Sequence, residues 1–201
     1  MKGVVLAAGA GTRMWPLATA KPKHLLPIAG HSLLSFTLKA LASAGIKELV
    51  LVVGFGAQQI RSALGDGGQY GVNIEYVSQP EWTGTASAIG VAHDAVGNEP
   101  FVALYGDLLM APTCIDSVLE KARESSKVMG IVRVSNLSQY GVVETKGDQV
   151  TRISEKPQVG RVARVGSIAE SMSSMETFFV LSNVPRVPSG ESMSSPLHCR
   201  G

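Results

Sequence analysis

The chain has 201 residues, of which 45% are hydrophobic, and a formal net charge of +2. This length and composition suit one domain with a sizeable core, and the small net charge gives no reason to expect nucleic acid or a membrane surface as a partner. No apolar run approaches a membrane span, and the apolar stretch after Lys2 is too short for a secretory signal. Cys114 and Cys199 are too few for a disulfide framework and lack metal-binding spacing. We therefore expect a cytoplasmic protein that binds neither nucleic acid nor a membrane.

The predicted elements alternate between short apolar strands and helices. A buried strand at residues 4–6 comes first, followed by a loop of small residues. The next elements are a helix at 32–44, a strand at 48–53, a helix at 58–64, a strand at 73–77, a helix at 83–96, a strand at 101–105, a helix at 113–125 and a strand at 128–134. Strands that alternate with helices indicate parallel pairing, so the predicted fold class is α/β, with an open, doubly wound, mostly parallel sheet.

The alternation stops after residue 138. Residues 140–144 and 150–153 predict a β-hairpin around Lys146-Gly147-Asp148, and Glu155-Lys156-Pro157 follows it.

The loop after the first strand has the composition of a phosphate-binding loop. Small residues at 7–11 leave main-chain N–H groups uncovered, so a polyphosphate can approach closely. Thr12 adds a hydroxyl and Arg13 adds a planar fork of N–H donors. Lys21 and Lys23 follow on a segment stiffened by prolines. Together these features predict a site that holds a nucleoside triphosphate.

Two familiar phosphate loops do not match this stretch. A Walker loop needs Gly-Lys-Ser/Thr after its glycines, and none follows Gly11. A dinucleotide fingerprint needs a third glycine, whereas Gly9-x-Gly11 continues to Met14. A lone G-x-G could equally be a structural turn between a strand and a helix.

The longer pattern carries a resemblance. G-A-G-T-R-M-W-P-L at residues 9–17, followed by K-P-K-H-L-L-P at residues 21–27, resembles the signature of the sugar nucleotidyltransferases, or nucleotide-diphosphate-sugar pyrophosphorylases. Within that family it is similar to the glucose-1-phosphate thymidylyltransferases and the N-acetylglucosamine-1-phosphate uridylyltransferases. The resemblance covers about residues 1–157. It implies a Rossmann-like, three-layer α/β/α fold.

The resemblance also implies an activity. It predicts transfer of a nucleotidyl group from UTP or dTTP to glucose 1-phosphate or N-acetylglucosamine 1-phosphate, with release of pyrophosphate and Mg²⁺ as the cofactor. Alternatives within the family are a guanylyl- or cytidylyltransferase. The alternative of another class is a non-catalytic nucleotide-binding fragment of an interrupted gene. A homo-oligomer is compatible with the sequence.

Asp107 follows a buried strand, where a carboxylate is held rigidly at the mouth of a site and suits Mg²⁺. An aspartate that caps the loop is the alternative interpretation. In the resembled family this Gly-Asp aspartate is a metal ligand. The residues that we expect to be catalytic are therefore Arg13, Lys23 and Asp107, with Asp107 on the metal.

Gln79 offers a donor and an acceptor to a base edge, and Gly84 lets the main chain reach it. The resemblance implies that the nucleotide is bound by Leu6, Ala8, Gly9, Gly11, Thr12, Arg13, Gln79, Gly84 and Thr85. It implies that the sugar phosphate is bound by Tyr105, Gly106, Gly141, Glu155 and Lys156. A helix cap at Thr83 or Thr85 and a solvated turn at Glu155-Lys156 are the alternatives.

The chemistry needs no nucleophilic side chain. The attacking sugar-phosphate oxygen is already anionic, so positioning and charge neutralisation by Arg13, Lys23 and Mg²⁺ suffice.

The pattern is lost from about residue 159: no aspartate follows Asp148, and Ser-Met-Ser-Ser appears twice. Codons rebuilt in a shifted frame permit the family's Asn-x-Gly, Val-Phe-Asp and Arg-Gly-Glu-Tyr-Glu-Leu-Thr motifs in order. One hypothesis is a frameshift between about residues 158 and 167, which makes 1–157 an incomplete catalytic domain and 158–201 an aberrant, poorly ordered tail. It would remove a second metal-ligand aspartate and leave a bare sheet edge. The alternative is an authentic divergent tail, and the coding DNA distinguishes the two.

Overall fold

The computed structural model describes residues 1–80, 84–125, 127–132, 142–154 and 172–182. The chain divides into two compact units, Met1–Met129 with Phe178–Met193 and Gly130–Thr177 with Ser194–Gly201. The elements in chain order are β1 (Lys2–Ala7), β2 (Pro27–Ile28), β3 (His31–Ser32), α1 (Leu33–Ser43), β4 (Glu48–Val53), α2 (Ala57–Leu64), β5 (Asn73–Ser78), α3 (Thr85–Gly90), α4 (His93–Val96), β6 (Pro100–Tyr105), α5 (Pro112–Lys121), β7 (Lys127–Val132), β8 (Val142–Lys146), β9 (Gln149–Ser154) and β10 (Met172–Ser182).

The first unit is built on a parallel sheet in the order β5-β4-β1-β6. In its register Leu6 lies opposite Tyr105, Ala7 opposite Val53, and Val53 opposite Ser78. The carboxyl ends of all four strands therefore reach the same edge of the sheet, and the loops that follow them meet there. In open α/β sheets this edge is where ligands bind.

Alternate residues of the central strands fill two separate cores. On one face Val5 and Leu51 pack with Leu38 of α1, Ile60 of α2 and Ile115 of α5, all of them buried. The residues that point the other way pack against α3 and α4, and they are Val4, Leu6, Val50, Val52, Phe101 and Ala103. Each large apolar side chain so buried contributes roughly 1.5–3 kcal/mol. The predicted three-layer α/β/α fold is confirmed.

One predicted helix is wrong. The helix expected at residues 83–96 is observed as two short helices, α3 and α4, interrupted after Gly90. Glycine is among the poorest helix formers, because the helix must restrict its free backbone, and it ends the first of the two here. None of the helices in the described ranges is both long and apolar enough to cross a membrane.

β6 has β10 as its second neighbour in the described sheet. The last residues of β10 pair antiparallel with β6, with Phe179 opposite Ala103 and Ser182 opposite Pro100. Residues 178–181 thus belong to a strand that pairs with β6. The proposed division at residue 158 and the frameshift hypothesis stay predictions.

The second unit contains the predicted hairpin. β8 and β9 are antiparallel and joined by a two-residue turn, in which Gly147 has φ +58°. Val142 and Val143 are buried, and β8 also pairs with residues 172–174 of β10.

Candidate active site

The loop after β1 presents small and polar groups at the carboxyl edge of the sheet. Gly11 has φ +65°, a left-handed conformation that favours glycine, and it leads into the 3₁₀ turn Thr12–Met14. Gly9, Thr12 and Arg13 are exposed. The loop therefore offers main-chain N–H groups, a hydroxyl and a guanidinium to solvent, as a phosphate-binding loop requires.

Lys23 lies across this loop and reaches Asp107. Its Nζ donates a hydrogen bond to Oδ2 of Asp107, and both side chains are partly buried. A Cβ atom placed on Gly11 would lie 3.0 Å from Cδ of Lys23, and one on Gly9 would lie 3.9 Å from Nζ. The two glycines therefore leave room for the lysine side chain. The structure brings Lys23 and Asp107 together at the loop after β1, which carries Arg13.

His24 lies directly behind this pair. The side chain is 1% exposed, and its Nδ1 atom is buried without a hydrogen-bond partner in the described part of the chain. Burial, assisted by the positive charge of Lys23 and opposed by Asp107, lowers the pKa of His24 from 6.5 to about 4. The imidazole of His24 is therefore neutral at neutral pH.

Gln79 and Gly84 are brought together beyond β5. The N–H of Gln79 donates to the carbonyl of Val53 at 2.8 Å, and its Nε2 donates to the carbonyl of Gly84 at 3.3 Å. Gln79 is 6% exposed. It lines a cavity of about 350 Å³ beyond β4 and β5, together with Val53, Gly54, Phe55, Ala57, Ser78 and Pro80.

Several predicted site residues are engaged within the fold. Leu6 and Ala8 have buried side chains, and their carbonyls accept hydrogen bonds from the N–H groups of Gly106 at 2.8 Å and Phe55 at 3.0 Å. These two residues can therefore meet a ligand through the main chain alone. Leu34 packs beside Gly106. A Cβ atom placed on Gly106 would lie 3.0 Å from Cδ1 of Leu34.

The remaining predicted residues divide into two groups. The hydroxyl groups of Thr85 and Tyr105 lie 3.2 Å apart and share a hydrogen bond, which links α3 to the end of β6. Gly141, Glu155 and Lys156 lie outside the described residues.

A divalent cation at this edge would rely on Asp107. Across the described ranges no group of three or more histidine, cysteine or carboxylate side chains is arranged as a metal cluster. Mg²⁺, however, is commonly held by one or two carboxylates together with substrate phosphates and water. A single carboxylate beside a loop that is predicted to bind phosphate fits that ion.

Sequence reasoning missed two residues that shape this site. One is His24, which shows no ligand spacing with the other histidines or the cysteines of the sequence. The other is Gly56, on which a Cβ atom would lie 2.1 Å from Cγ of Pro22. The available signal was the pair of glycines around Phe55 directly after a buried strand, which is a pattern typical of close backbone approach.

Comparison with known proteins identifies the family. The family model for nucleotidyl transferases matches residues 2–180, a range that continues past residue 157 and into β10. The low-salt glycan biosynthesis nucleotidyltransferase of Haloferax volcanii is 36% identical over 161 residues, which are 78% of this chain and 45% of that protein. The glucose-1-phosphate thymidylyltransferase of Streptomyces griseus is 35% identical over 160 residues, with the same coverage. The chain spans about half the length of these curated relatives.

Solved structures agree. A Bacillus anthracis protein provisionally assigned as a glucose-1-phosphate thymidylyltransferase, crystallised with a sucrose, has a TM-score of 0.78 and 26% identity, with 90% of this chain and 72% of that chain covered. A UDP-glucose pyrophosphorylase complexed with UDP-glucose shares the fold, with a TM-score of 0.73 and 21% identity, over 90% of this chain and 75% of that one. Because the family model covers most of the sequence, the chain belongs to the nucleotidyl transferase family.

Proposed function

We propose that this chain carries the site for transfer of a nucleotidyl group from a nucleoside triphosphate to a sugar 1-phosphate. The observation that carries the proposal is the ion pair of Lys23 with Asp107 directly against the Gly9–Gly11 loop. A cation and a carboxylate beside a loop of small residues with exposed polar groups support binding of phosphate there. Family membership supports the same reaction class.

Lys23 and Arg13 have the same task in this reaction. The attacking oxygen of the sugar phosphate is already anionic, so no general base is needed, and the barrier lies in bringing two anions together. Attack occurs in line on the α-phosphorus, and pyrophosphate leaves. The two cations bind the phosphates and neutralise the charge that develops on them.

Asp107 is the proposed Mg²⁺ ligand. When bound there, the ion would supply further positive charge to the triphosphate and the sugar phosphate. Asp107 also accepts a hydrogen bond from the ammonium group of Lys23, so one carboxylate would orient two positive charges if the ion were bound.

Recognition of the base is assigned to Gln79, whose amide can donate and accept, with the main chain at Gly84 beside it. UTP or dTTP and a glucose-type sugar 1-phosphate are the proposed substrates, because the relatives include thymidylyltransferases and a UDP-glucose pyrophosphorylase. Tyr105, Gly106, Gly141, Glu155 and Lys156 stay predictions for the sugar phosphate.

The test is release of pyrophosphate by the purified chain. Mg²⁺, each nucleoside triphosphate in turn and a pool of sugar 1-phosphates are supplied, and Asp107→Asn is compared with Asp116→Asn, an exposed carboxylate of α5. We expect turnover with one pyrimidine triphosphate, a loss of about 10²-fold or more in Asp107→Asn, and no loss in Asp116→Asn. Binding of the triphosphate without turnover in any combination would instead identify a non-catalytic nucleotide-binding fragment.

A further inference from the structure

The position of Lys23 depends on a segment with little regular structure of its own. Residues 20–23, here called the basic segment, lead into the short 3₁₀ turn Lys23–Leu25. Pro22 in this segment is buried, whereas Lys21 is exposed. The segment therefore needs contacts from elsewhere in the fold to aim Lys23 at Asp107.

The contact on Pro22 comes from Gly56, at the start of α2. Gly56 has φ +66° and ψ +24°, a left-handed conformation that disfavours any residue with a Cβ atom. A Cβ atom there would also lie 2.1 Å from Cγ, 3.1 Å from Cδ and 3.2 Å from Cβ of Pro22. The proline ring is thus seated directly on the α-carbon of Gly56, and two independent restrictions exclude a side chain.

Residues 54–56, which form the turn between β4 and α2, also contact the loop after β1. The N–H of Phe55 donates to the carbonyl of Ala8 at 3.0 Å, and a Cβ atom on Gly54 would lie 2.8 Å from that oxygen. A third contact joins α2 to the basic segment, because Nε2 of Gln59 donates to the carbonyl of Ala20 at 3.3 Å. The turn before α2 and the first part of α2 therefore contact both the loop after β1 and the basic segment.

We infer that Gly56 is a positioning residue of the transferase site: by seating Pro22 it fixes Lys23 between the phosphate loop and Asp107. The inference rests on the proposed function for its catalytic consequence, but the contact itself can be tested separately. A side chain at residue 56 would push Pro22 away and carry the ammonium group of Lys23 with it. Displacement of a catalytic cation by about 1 Å lowers turnover by about 10²-fold.

The chain provides a matched control. Gly71 has nearly the same left-handed conformation, with φ +75° and ψ +26°, but nothing lies within 4 Å of a Cβ atom placed on it. Gly56→Ala and Gly71→Ala therefore share the conformational cost and differ in the clash with Pro22. Pro22→Ala removes the Cγ and Cδ atoms of the ring, so the double variant Gly56→Ala/Pro22→Ala relieves the clash.

Two readouts are compared at temperatures well below unfolding. In the pyrophosphate-release assay, kcat should fall by about 10²-fold in Gly56→Ala and by less than about twofold in Gly71→Ala. The double variant should recover most of the kcat lost in Gly56→Ala. In labelling by an amine reagent, followed by mass spectrometry, Lys23 should react several-fold faster in Gly56→Ala than in wild type or Gly71→Ala. Lys39, exposed on α1, serves as the internal standard.

The labelling result separates the two hypotheses. A wild-type chain that turns over no substrate, but in which Lys23 is exposed selectively by Gly56→Ala and protected again by Pro22→Ala, would refute the proposed function and support the positioning role. Equal labelling of Lys23 in Gly56→Ala and Gly71→Ala would overturn the inference. Should Gly56→Ala fail to fold, recovery of folded protein on adding Pro22→Ala supports the contact, and failure of the double variant to fold refutes it.

Discussion

The buried imidazole of His24 should make the stability of this protein fall in mildly acidic solution. At pH values above 6.5 the imidazole is neutral in the folded and unfolded chains, so it contributes no pH dependence. Below 6.5 the unfolded chain takes up a proton on His24, but the folded chain does not until the pH approaches about 4. The proton therefore stabilises the unfolded state across this window, and stability falls as the pH decreases from 6.5 to about 4.

The size of the effect follows from the two pKa values. Folding lowers the proton affinity of the imidazole from a pKa of 6.5 to about 4. Each tenfold change in affinity corresponds to about 1.4 kcal/mol, so the free energy of unfolding should fall by roughly 3 kcal/mol across the window. Because His24 is almost fully buried, solvent screening reduces this value little.

The assay is urea denaturation followed by circular dichroism between about pH 8 and about pH 4. Carboxylates titrate in the same range, so the informative quantity is the difference between wild type and His24→Leu. That difference should be constant above pH 6.5 and shift by roughly 3 kcal/mol in favour of the variant at about pH 4. His31→Leu, at an exposed position, should follow wild type. Parallel pH profiles for wild type and His24→Leu would refute the reasoning.

Two further predictions concern the support beneath Asp107, both measured by urea denaturation. The buried hydroxyl of Thr37 donates to the carbonyl of Leu108 at 3.1 Å, so Thr37→Val should cost about 1–3 kcal/mol while Thr37→Ser costs less. A valine variant as stable as wild type would contradict this role. Leu34 is fully buried beside Gly106, and Leu34→Ala should cost about 2–5 kcal/mol. Leu17→Ala, at a side chain 70% exposed, should stay within about 0.5 kcal/mol, and equal losses in the two variants would count against the packing argument.

The central strands could be predicted because their local sequence contains the whole signal. Strands buried on both faces are continuous apolar runs, as in Glu48–Val53, and the predicted and observed bounds of that strand agree. The hairpin of the second unit was predictable for a related reason, since Gly147 marks a turn that needs a positive φ. In both cases the chemistry that decides the structure lies within a few residues.

Contacts between distant segments were not predictable from one sequence. Nothing in the residues near Thr37 indicates that its hydroxyl satisfies the carbonyl of Leu108, which lies 71 positions away. The alanine-rich sequence at 85–96 does not show that it forms two short helices in place of one, because helix propensity and tertiary packing compete there. The antiparallel strand β10 depends on main-chain pairing that leaves a weak trace in the sequence.

The candidate site lies between these two cases. Lys23 and Asp107 were each selected by local chemistry, although they are 84 positions apart. What brings them together is the register of β1 against β6, because Leu6 lies opposite Tyr105 and the loop after β1 and Asp107 therefore reach the same edge of the sheet. That register follows from parallel pairing, which the alternation of strands and helices predicts. The close contact between Pro22 and Gly56 does not follow from parallel pairing. The position of the Lys23 side chain nevertheless depends on that contact. Sequence therefore predicts which groups meet at this edge, and the tight contacts between its loops determine whether they meet in a geometry that can act on phosphate.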